Sequence, residues 1–409
     1  MKVSDYIVEY LIEKRVTNVF GYPGGMVTHL MDSLGKRESD IHTHITYHEQ
    51  AAAFAACGYA QGLGRVGVAF ATSGPGATNL ITGIGNAYFD SIPTIFITGQ
   101  VNTFESKAGS ELRQKGFQEI DIVSVVKEIT KAAYYVSDPD DIPRILSEAY
   151  DIAMAARRGP VLIDVPMNVF RADIDVDSTH AYLCSAIDDK SLRDRTAAEF
   201  EKGLTEALAV SRRPCLIVGN GIKIDDQVAN IRGILRSCPM PVVSSMIAVD
   251  IVPEGHGLEG IYYGFIGAYG NRTANFVVAK SDLVICLGTR LDVRQVGGER
   301  ENFAPGAHIL RVDIDIAELG NKIRGDEESY ELSLGEAIPV LRRVLDEGKY
   351  FYSEWLDVCQ TIKKQVKYMD EKAPNRFINK ISRAVPDGCS IVSDVVRQSI
   401  PAAVLPERA

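Results

Sequence analysis

Glu49 lies in the stretch Tyr47-His48-Glu49-Gln50-Ala51-Ala52-Ala53, among small apolar residues and with no cationic neighbour in sequence. A carboxyl in such company is suited to hold or pass a proton. Two glycine-bearing turns flank it. In Gly21-Tyr22-Pro23-Gly24-Gly25, the bare Gly24 and Gly25 would let the backbone approach a flat ligand ring closely. Thr72-Ser73-Gly74-Pro75-Gly76-Ala77-Thr78-Asn79 follows an apolar strand and precedes a helix, the place where open α/β sheets put ligands. Gln100 ends another strand at the same sheet edge, and Phe117-Gln118-Glu119 follows a polar loop running from Asn102 to Gly116. Taken singly, each feature also fits a plainer role: Glu49 a helix-opening glutamate favoured by the macrodipole, the turns mere strand-to-helix connections, and Gln118 a surface-loop residue. His42 and His44 share one face of an extended segment near His48, but no cysteine or carboxylate completes a ligand set, so no metal site is expected within this chain.

The elements that must position these residues read as α/β. Short apolar runs rich in β-branched residues at Val16–Phe20, Gly67–Ala71, Thr94–Thr98 and Pro160–Val165 are the pattern of buried parallel strands. Met1–Ile12 carries apolar residues at helical spacing and reads as a folded helix, not a targeting peptide. Ser137-Asp138-Pro139-Asp140 opens a helix over Ile142–Ala156. Residues 1–172 thus form one doubly wound domain, and the charged stretch 173–195 reads as a linker. A second α/β domain follows over 196–345, with a helix over Ala197–Val210, strands at Pro214–Val218, Pro241–Ser244, Leu283–Leu287 and His308–Ile314, and a turn at Gly219-Asn220-Gly221. Beyond a helix over Tyr350–Asp370, residues 365–409 look like the incomplete start of a third domain, with a strand at Ser390–Asp394. The expected fold class is α/β with doubly wound parallel sheets, two complete domains plus the start of a third.

Bulk composition bounds the partners. A chain of 409 residues exceeds what one core usually serves. With 46% hydrophobic and 24% charged residues, and no apolar run of bilayer length, it reads as a soluble protein without a membrane partner. A net charge of −10 advertises no basic surface for nucleic acid. Seven scattered cysteines without a Cys-x-x-Cys pair suggest reduced thiols in a cytoplasm.

Together, the Gly21–Gly25 turn, Glu49, Thr72–Asn79, Asp90-Ser91-Ile92-Pro93 and Gly99-Gln100 resemble the thiamine diphosphate enzymes of the acetolactate synthase type. The likeness resumes at Arg157-Arg158-Gly159-Pro160, Gly288–Arg294 and Asp313-Ile314-Asp315. The resemblance implies that Pro23, Gly24, Gly25, Pro75, Asn79 and Gln100 surround the cofactor's pyrimidine, with Gln118 near the substrate. Glu49 would bond the ring nitrogen N1′, favouring the tautomer whose 4′-amino group can remove a proton. It further implies a first domain for the aminopyrimidine, a central domain that binds FAD in some members, a third that holds the diphosphate through Mg²⁺, and active sites formed between subunits of a homodimer or homotetramer.

The chain departs from that pattern at several positions. FAD stays an open alternative: Arg157 and Arg290 match FAD-contacting segments, whereas Gly219-Asn220-Gly221 replaces a triple glycine and Tyr269 stands where histidine is common. Met167 replaces a lysine near the substrate entrance. No Gly-Asp-Gly with a downstream Asn follows residue 365, so Mg²⁺ ligands are expected from a missing or separately encoded C-terminal domain. The implied activity is that of a carboligase or lyase acting on a 2-keto acid such as pyruvate, with this truncated chain inactive alone. Another thiamine diphosphate-dependent decarboxylase or acetyltransferase, or a non-catalytic remnant or assembly subunit, stay as alternatives.

Overall fold

Apolar runs bounded by glycine or proline build two six-stranded, all-parallel sheets, one in each of two units, 1–187 and 188–409. The computed structural model describes residues 1–175, 190–253 and 257–370, with scattered positions between 376 and 389. The strand expected at Ser390–Asp394 and most of the 173–195 stretch lie outside the described residues.

In the first unit the strands are β1 (Asn18–Gly21), β2 (His42–Ile45), β3 (Gly67–Ala71), β4 (Thr94–Gln100), β5 (Ala132–Tyr135) and β6 (Pro160–Pro166), in the order β2-β1-β3-β4-β6-β5. The helices are α1 (Val3–Glu13), α2 (Thr28–Lys36), α3 (Glu49–Leu63), α4 (Pro75–Asn79), α5 (Ile81–Phe89), α6 (Ile122–Val126), α7 (Ile142–Met154) and α8 (Met167–Phe170). Alternate residues of the central strands serve two cores, because successive side chains leave a strand on opposite faces. Phe70, Ile95, Ile97, Val161 and Ile163 pack with residues of α1, α2 and α7. Ala69, Ala71, Phe96 and Leu162 pack with residues of α3, α5 and α6. Both faces are covered, so β3, β4 and β6 are buried throughout.

The chain leaves β1 toward β2 on one side and returns to β3 on the other, which makes the carboxyl ends of β1 and β3 a topological switch point. Helix α3 runs between them and is held by backbone contact. A Cβ at Gly67 would sit 2.0 Å from the Ala56 carbonyl oxygen, and one at Gly83 of α5 would sit 2.3 Å from Ala53 Cβ. Such distances leave no room for any side chain at either glycine. The first unit also reaches past β6: Lys2 bridges Asp173, and the Met1 ammonium donates to the Ile174 carbonyl at 3.1 Å, with Ile174 in the core.

The second unit contains β7 (Pro214–Val218), β8 (Val242–Ser244), β9 (Tyr262–Phe265), β10 (Leu283–Leu287), β11 (His308–Asp313) and β12 (Glu328–Glu331), in the order β12-β11-β10-β7-β8-β9. Its helices are α9 (Lys190–Val210), α10 (Gly221–Ile224), α11 (Val228–Ser237), α12 (Arg272–Lys280), α13 (Val293–Val296), α14 (Ile316–Gly320), α15 (Leu334–Gly348) and α16 (Ser353–Asp370). Helix α9 begins at Lys190, ahead of the expected Ala197. Its charged first turns carry ion pairs such as Arg195–Glu199, and a solvated helix start gives no apolar period to read. Trp355 and Cys359 of α16 enter the same core as β7, and the Trp355 indole donates to the Pro214 carbonyl at 3.0 Å. Among the described residues of this unit, one ion pair is fully buried. Arg311, 1% exposed, donates to Glu327 at 2.9 Å and to the carbonyls of Glu318 and Arg290, tying the loops after β10 and β11 together. No helix among the described residues is long and apolar enough to cross a membrane.

Glycines 83 and 62 give opposite predictions for alanine. Gly83→Ala should lower unfolding free energy by about 1–3 kcal/mol, as overpacking does, because the added methyl meets Ala53. Gly62→Ala on the exposed side of α3 meets nothing within 4 Å and should raise stability by about 0.4–1 kcal/mol. Urea unfolding of the two variants against the parent checks both signs.

Candidate functional site

The switch-point crevice is built from bare backbone. Gly24 is extended, with φ −165°, and a Cβ on it would lie 2.4 Å from Thr72 Cβ, so the turn after β1 rests flush on the turn after β3. The Thr72 hydroxyl accepts from the Met26 N–H at 3.3 Å, and a Cβ at Gly99 on β4 would lie 2.5 Å from the Met26 carbonyl. A Cβ at Gly25, by contrast, meets nothing within 4 Å, so Gly25 faces open space. Pro23 and Pro75 are exposed at the two turns. Gly74 has φ +61°, which glycine adopts without strain, and it sits where a Cβ would be 2.7 Å from Gln118 Cβ.

Glu49 opens α3 at this crevice. His48 precedes it with an extended backbone and caps the helix, its Nδ1 accepting from the Gln50 N–H at 3.1 Å. The Glu49 side chain is 8% exposed. Its Oε2 accepts from Asn79 Nδ2 at 2.9 Å, so a polar partner meets it where the sequence offered only alanine. A hydrogen bond to a carboxylate of this kind contributes about 1.5–3 kcal/mol. Oε1 accepts from no donor among the described residues and faces Gly76, whose missing Cβ would stand 3.2 Å away. The crevice therefore combines a fixed carboxyl, one unclaimed acceptor oxygen and, at Gly25, open space beside the turn after β1.

Comparison with known proteins agrees with the family resemblance seen in the sequence. Residues 1–125 match the family described as "Thiamine pyrophosphate enzyme, N-terminal TPP binding domain", and residues 202–332 match "Thiamine pyrophosphate enzyme, central domain". The chain is 32% identical over 400 residues to the acetolactate synthase isozyme 2 large subunit of Escherichia coli, covering 97% of this chain and 68% of that protein. It belongs to the acetolactate-synthase-like thiamine pyrophosphate enzymes. It is also 37% identical over 316 residues to an acetolactate synthase of Arthrospira platensis, covering 77% of this chain and 53% of that protein. Likewise it is 37% identical over 397 residues to the acetolactate synthase large subunit of Corynebacterium glutamicum, covering 93% of this chain and 60% of that protein. The chain thus spans between about half and two thirds of the length of these relatives.

In this family member the structure brings together Pro23, Gly24, Gly25, Glu49, Pro75 and Asn79 at the two turns, with Gln118 beside Gly74. Gln100 ends β4 at the same edge, but its side chain turns inward and is 4% exposed. Its Nε2 donates to the Ile120 carbonyl at 2.8 Å and to Asp164 Oδ2 at 3.1 Å, and its Oε1 accepts from the Val101 N–H at 3.0 Å. Arg157 and Arg290 lie in different units. Arg157 donates from Nε to the Ser91 hydroxyl at 3.0 Å, joining two of the segments that carry the family likeness. Arg290 pairs with Glu318 at 2.7 Å. The three histidines serve locally: His42 stands 3.5 Å from Glu38, His44 bonds Asn18 and stacks on Phe20, and His48 caps α3.

Two carboxyls had no assigned role in the sequence. Glu119 is buried under the loop that carries Gln118: Oε1 accepts from the Ser106 hydroxyl and the Lys107 N–H, Oε2 from the Lys115 and Gly116 N–H groups. Burial pushes this carboxyl up, but the hydrogen bonds from Lys115, Lys107, Ser106 and Gly116 outweigh it and hold it below the usual range. Asp164 on β6 is the second, 2% exposed and accepting from the Thr98 hydroxyl at 2.7 Å. Neither announces itself in sequence, because a carboxylate that collects distant N–H groups looks like any acidic residue in a loop or strand.

The Glu119 geometry predicts that Glu119→Gln speeds limited proteolysis between residues 106 and 116, since an amide cannot accept all four bonds at full strength. Because the folded carboxyl titrates low, its stabilisation is present above the ordinary carboxyl range and lost as pH falls through the folded value. In the parent protein, loop cleavage should therefore accelerate in acid; in the variant it should be fast at neutral pH as well.

Proposed function

We propose that this chain supplies the pyrimidine half of a thiamine diphosphate site in an acetolactate-synthase-like carboligase or lyase acting on a 2-keto acid such as pyruvate. The observation that carries this reading is the Glu49 carboxyl, fixed by Asn79 through one oxygen and leaving the other unclaimed among the described residues, at a crevice where Gly25 faces open space. An aminopyrimidine needs such an acceptor or donor at its ring nitrogen. When bound, thiamine diphosphate would supply the nucleophilic carbon and electron sink for keto-acid chemistry. The chain's own residues do the rest. Glu49 holds a proton at the ring nitrogen; Asn79 fixes the carboxyl's rotamer; Gly25 gives the ring access, while Gly24 lets the two turns meet and Gly76 lets the carboxyl lie close; Pro23 and Pro75 stiffen the two turns; Gln118 lies on the substrate side.

Among the described residues no group of three His, Cys, Asp or Glu could hold a metal ion. We assign Mg²⁺ and diphosphate binding to a C-terminal domain, on the same or a separate polypeptide, and place the complete site between subunits of a homodimer or homotetramer in the cytoplasm. Arg157 and Arg290 are each held by a protein partner within their own unit, which gives FAD no particular support.

Two measurements test this. In the assembled enzyme, Glu49→Gln should lower turnover by about 10²–10⁴-fold, the usual range for a proton-handling side chain, with unfolding free energy little changed; full turnover in that variant would overturn the assignment. Isothermal titration of the 409-residue chain alone with thiamine diphosphate and Mg²⁺ should show no stoichiometric tight binding.

A further inference from the structure

Asp164 lies in the interior of the first unit, with no cation beside it among the described residues. It shares the α6 side of the sheet with Phe96 and Leu162, and its in-register neighbours are Thr98 on β4 and Tyr135 on β5. Thr98 donates to Oδ1 at 2.7 Å, and Gln100 Nε2 donates to Oδ2 at 3.1 Å. The same Gln100 nitrogen donates to the Ile120 carbonyl at 2.8 Å. One amide therefore joins a buried carboxyl to the main chain two residues after Gln118, at the end of the loop that Glu119 organises.

We propose that Asp164 is a positioning residue, a proton-sensitive latch that acts through Gln100 on the Ile120 main chain and so fixes the 116–120 segment, with Gln118 set against Gly74. The latch keeps the segment closed when the carboxyl is neutral. In that state the acid hydroxyl donates to Thr98 and the carbonyl oxygen still accepts from Gln100, so both contacts persist without a buried charge. Ionisation leaves an unpaired charge in the core, and opening the Ile120 side admits the water that would solvate it.

Burial pushes the Asp164 carboxyl up to about 7, with Asp121 adding like-charge repulsion and the bonds from Thr98 and Gln100 pulling the other way. From β5 the facing group is the Tyr135 phenol, which burial and the charges of Asp164 and Glu119 raise, so it stays neutral across the working range. Glu119 titrates below the usual range, so its own loss of grip belongs to acid pH. The sign follows: the closed carboxyl binds its proton more tightly than an open one, so closure is strongest in acid, is lost as pH rises from the ordinary carboxyl value of ~3.9 toward 7, and then levels off. That Gln118 borders a substrate rests on the function proposed above; the latch itself does not.

Hydrogen exchange of the ligand-free 409-residue chain, corrected for intrinsic rates and read on peptides covering 114–121, tests the latch without any cofactor. Between about pH 5 and pH 7 protection should fall by up to about tenfold per pH unit and then flatten. Asp164→Asn should hold protection constant across that range. Gln100→Leu should cut the local pH dependence while leaving the pH dependence of global urea unfolding in place. If Asp164→Asn does not fold, Thr98→Val serves instead: losing the hydroxyl donor should move the levelling-off point to higher pH. A parent protein with flat protection, an Asp164→Asn variant with the parent's pH profile, or an unmoved point in Thr98→Val would each overturn the proposal.

Discussion

Close contact of α3 with β3 and with α5 sets everything at the candidate site. The Ala56 carbonyl rests where Gly67 has no side chain, and Ala53 rests where Gly83 has none. These approaches fix the axis and depth of a helix whose first residue is Glu49. A side chain at either glycine would push α3 outward, and the carboxyl would lose both its burial and its bond to Asn79. Packed interiors tolerate such displacement poorly, since their density leaves few voids to absorb it.

The turns apply the same economy at a smaller scale. Gly24 against Thr72, Gly99 against the Met26 carbonyl and Gly74 against Gln118 are three close approaches around one crevice, while Gly25 faces open space. The glycines thus divide into those that allow protein to approach protein and one that leaves room for a ligand. Around that crevice, buried carboxyls replace regular structure. Glu119 gathers the N–H groups of Lys107, Lys115 and Gly116, which lie outside any helix or strand, and Asp164 fixes the strand-end amide from which the loop departs.

How far the fold was legible depends on burial. Strands β3, β4, β6, β7, β10 and β11 stand out in sequence because each is covered on both faces and so is almost uniformly apolar. The four strands that did not stand out, β2, β5, β9 and β12, are the edges of the two sheets. An edge strand pairs on one side only and keeps polar or half-exposed residues, as in His42-Thr43-His44-Ile45 and Glu328-Ser329-Tyr330-Glu331. The charged opening turns of α9 escaped for a similar reason.

The sequence by itself determined the chemistry types and their order: a carboxyl after one glycine turn and before another, in a chain of alternating strands and helices whose likeness to thiamine diphosphate enzymes rests on those same residues. It could do so because turns and helix starts are local, and their residue types are dictated by backbone angles a few positions away. Only the tertiary structure decided which atoms meet. Asn79 reaches Glu49 across 30 positions, and Gln100 turns inward to Asp164 across 64. Those pairings are set by strand order and helix depth, quantities that depend on the whole packed sheet and leave no mark on the residues beside them.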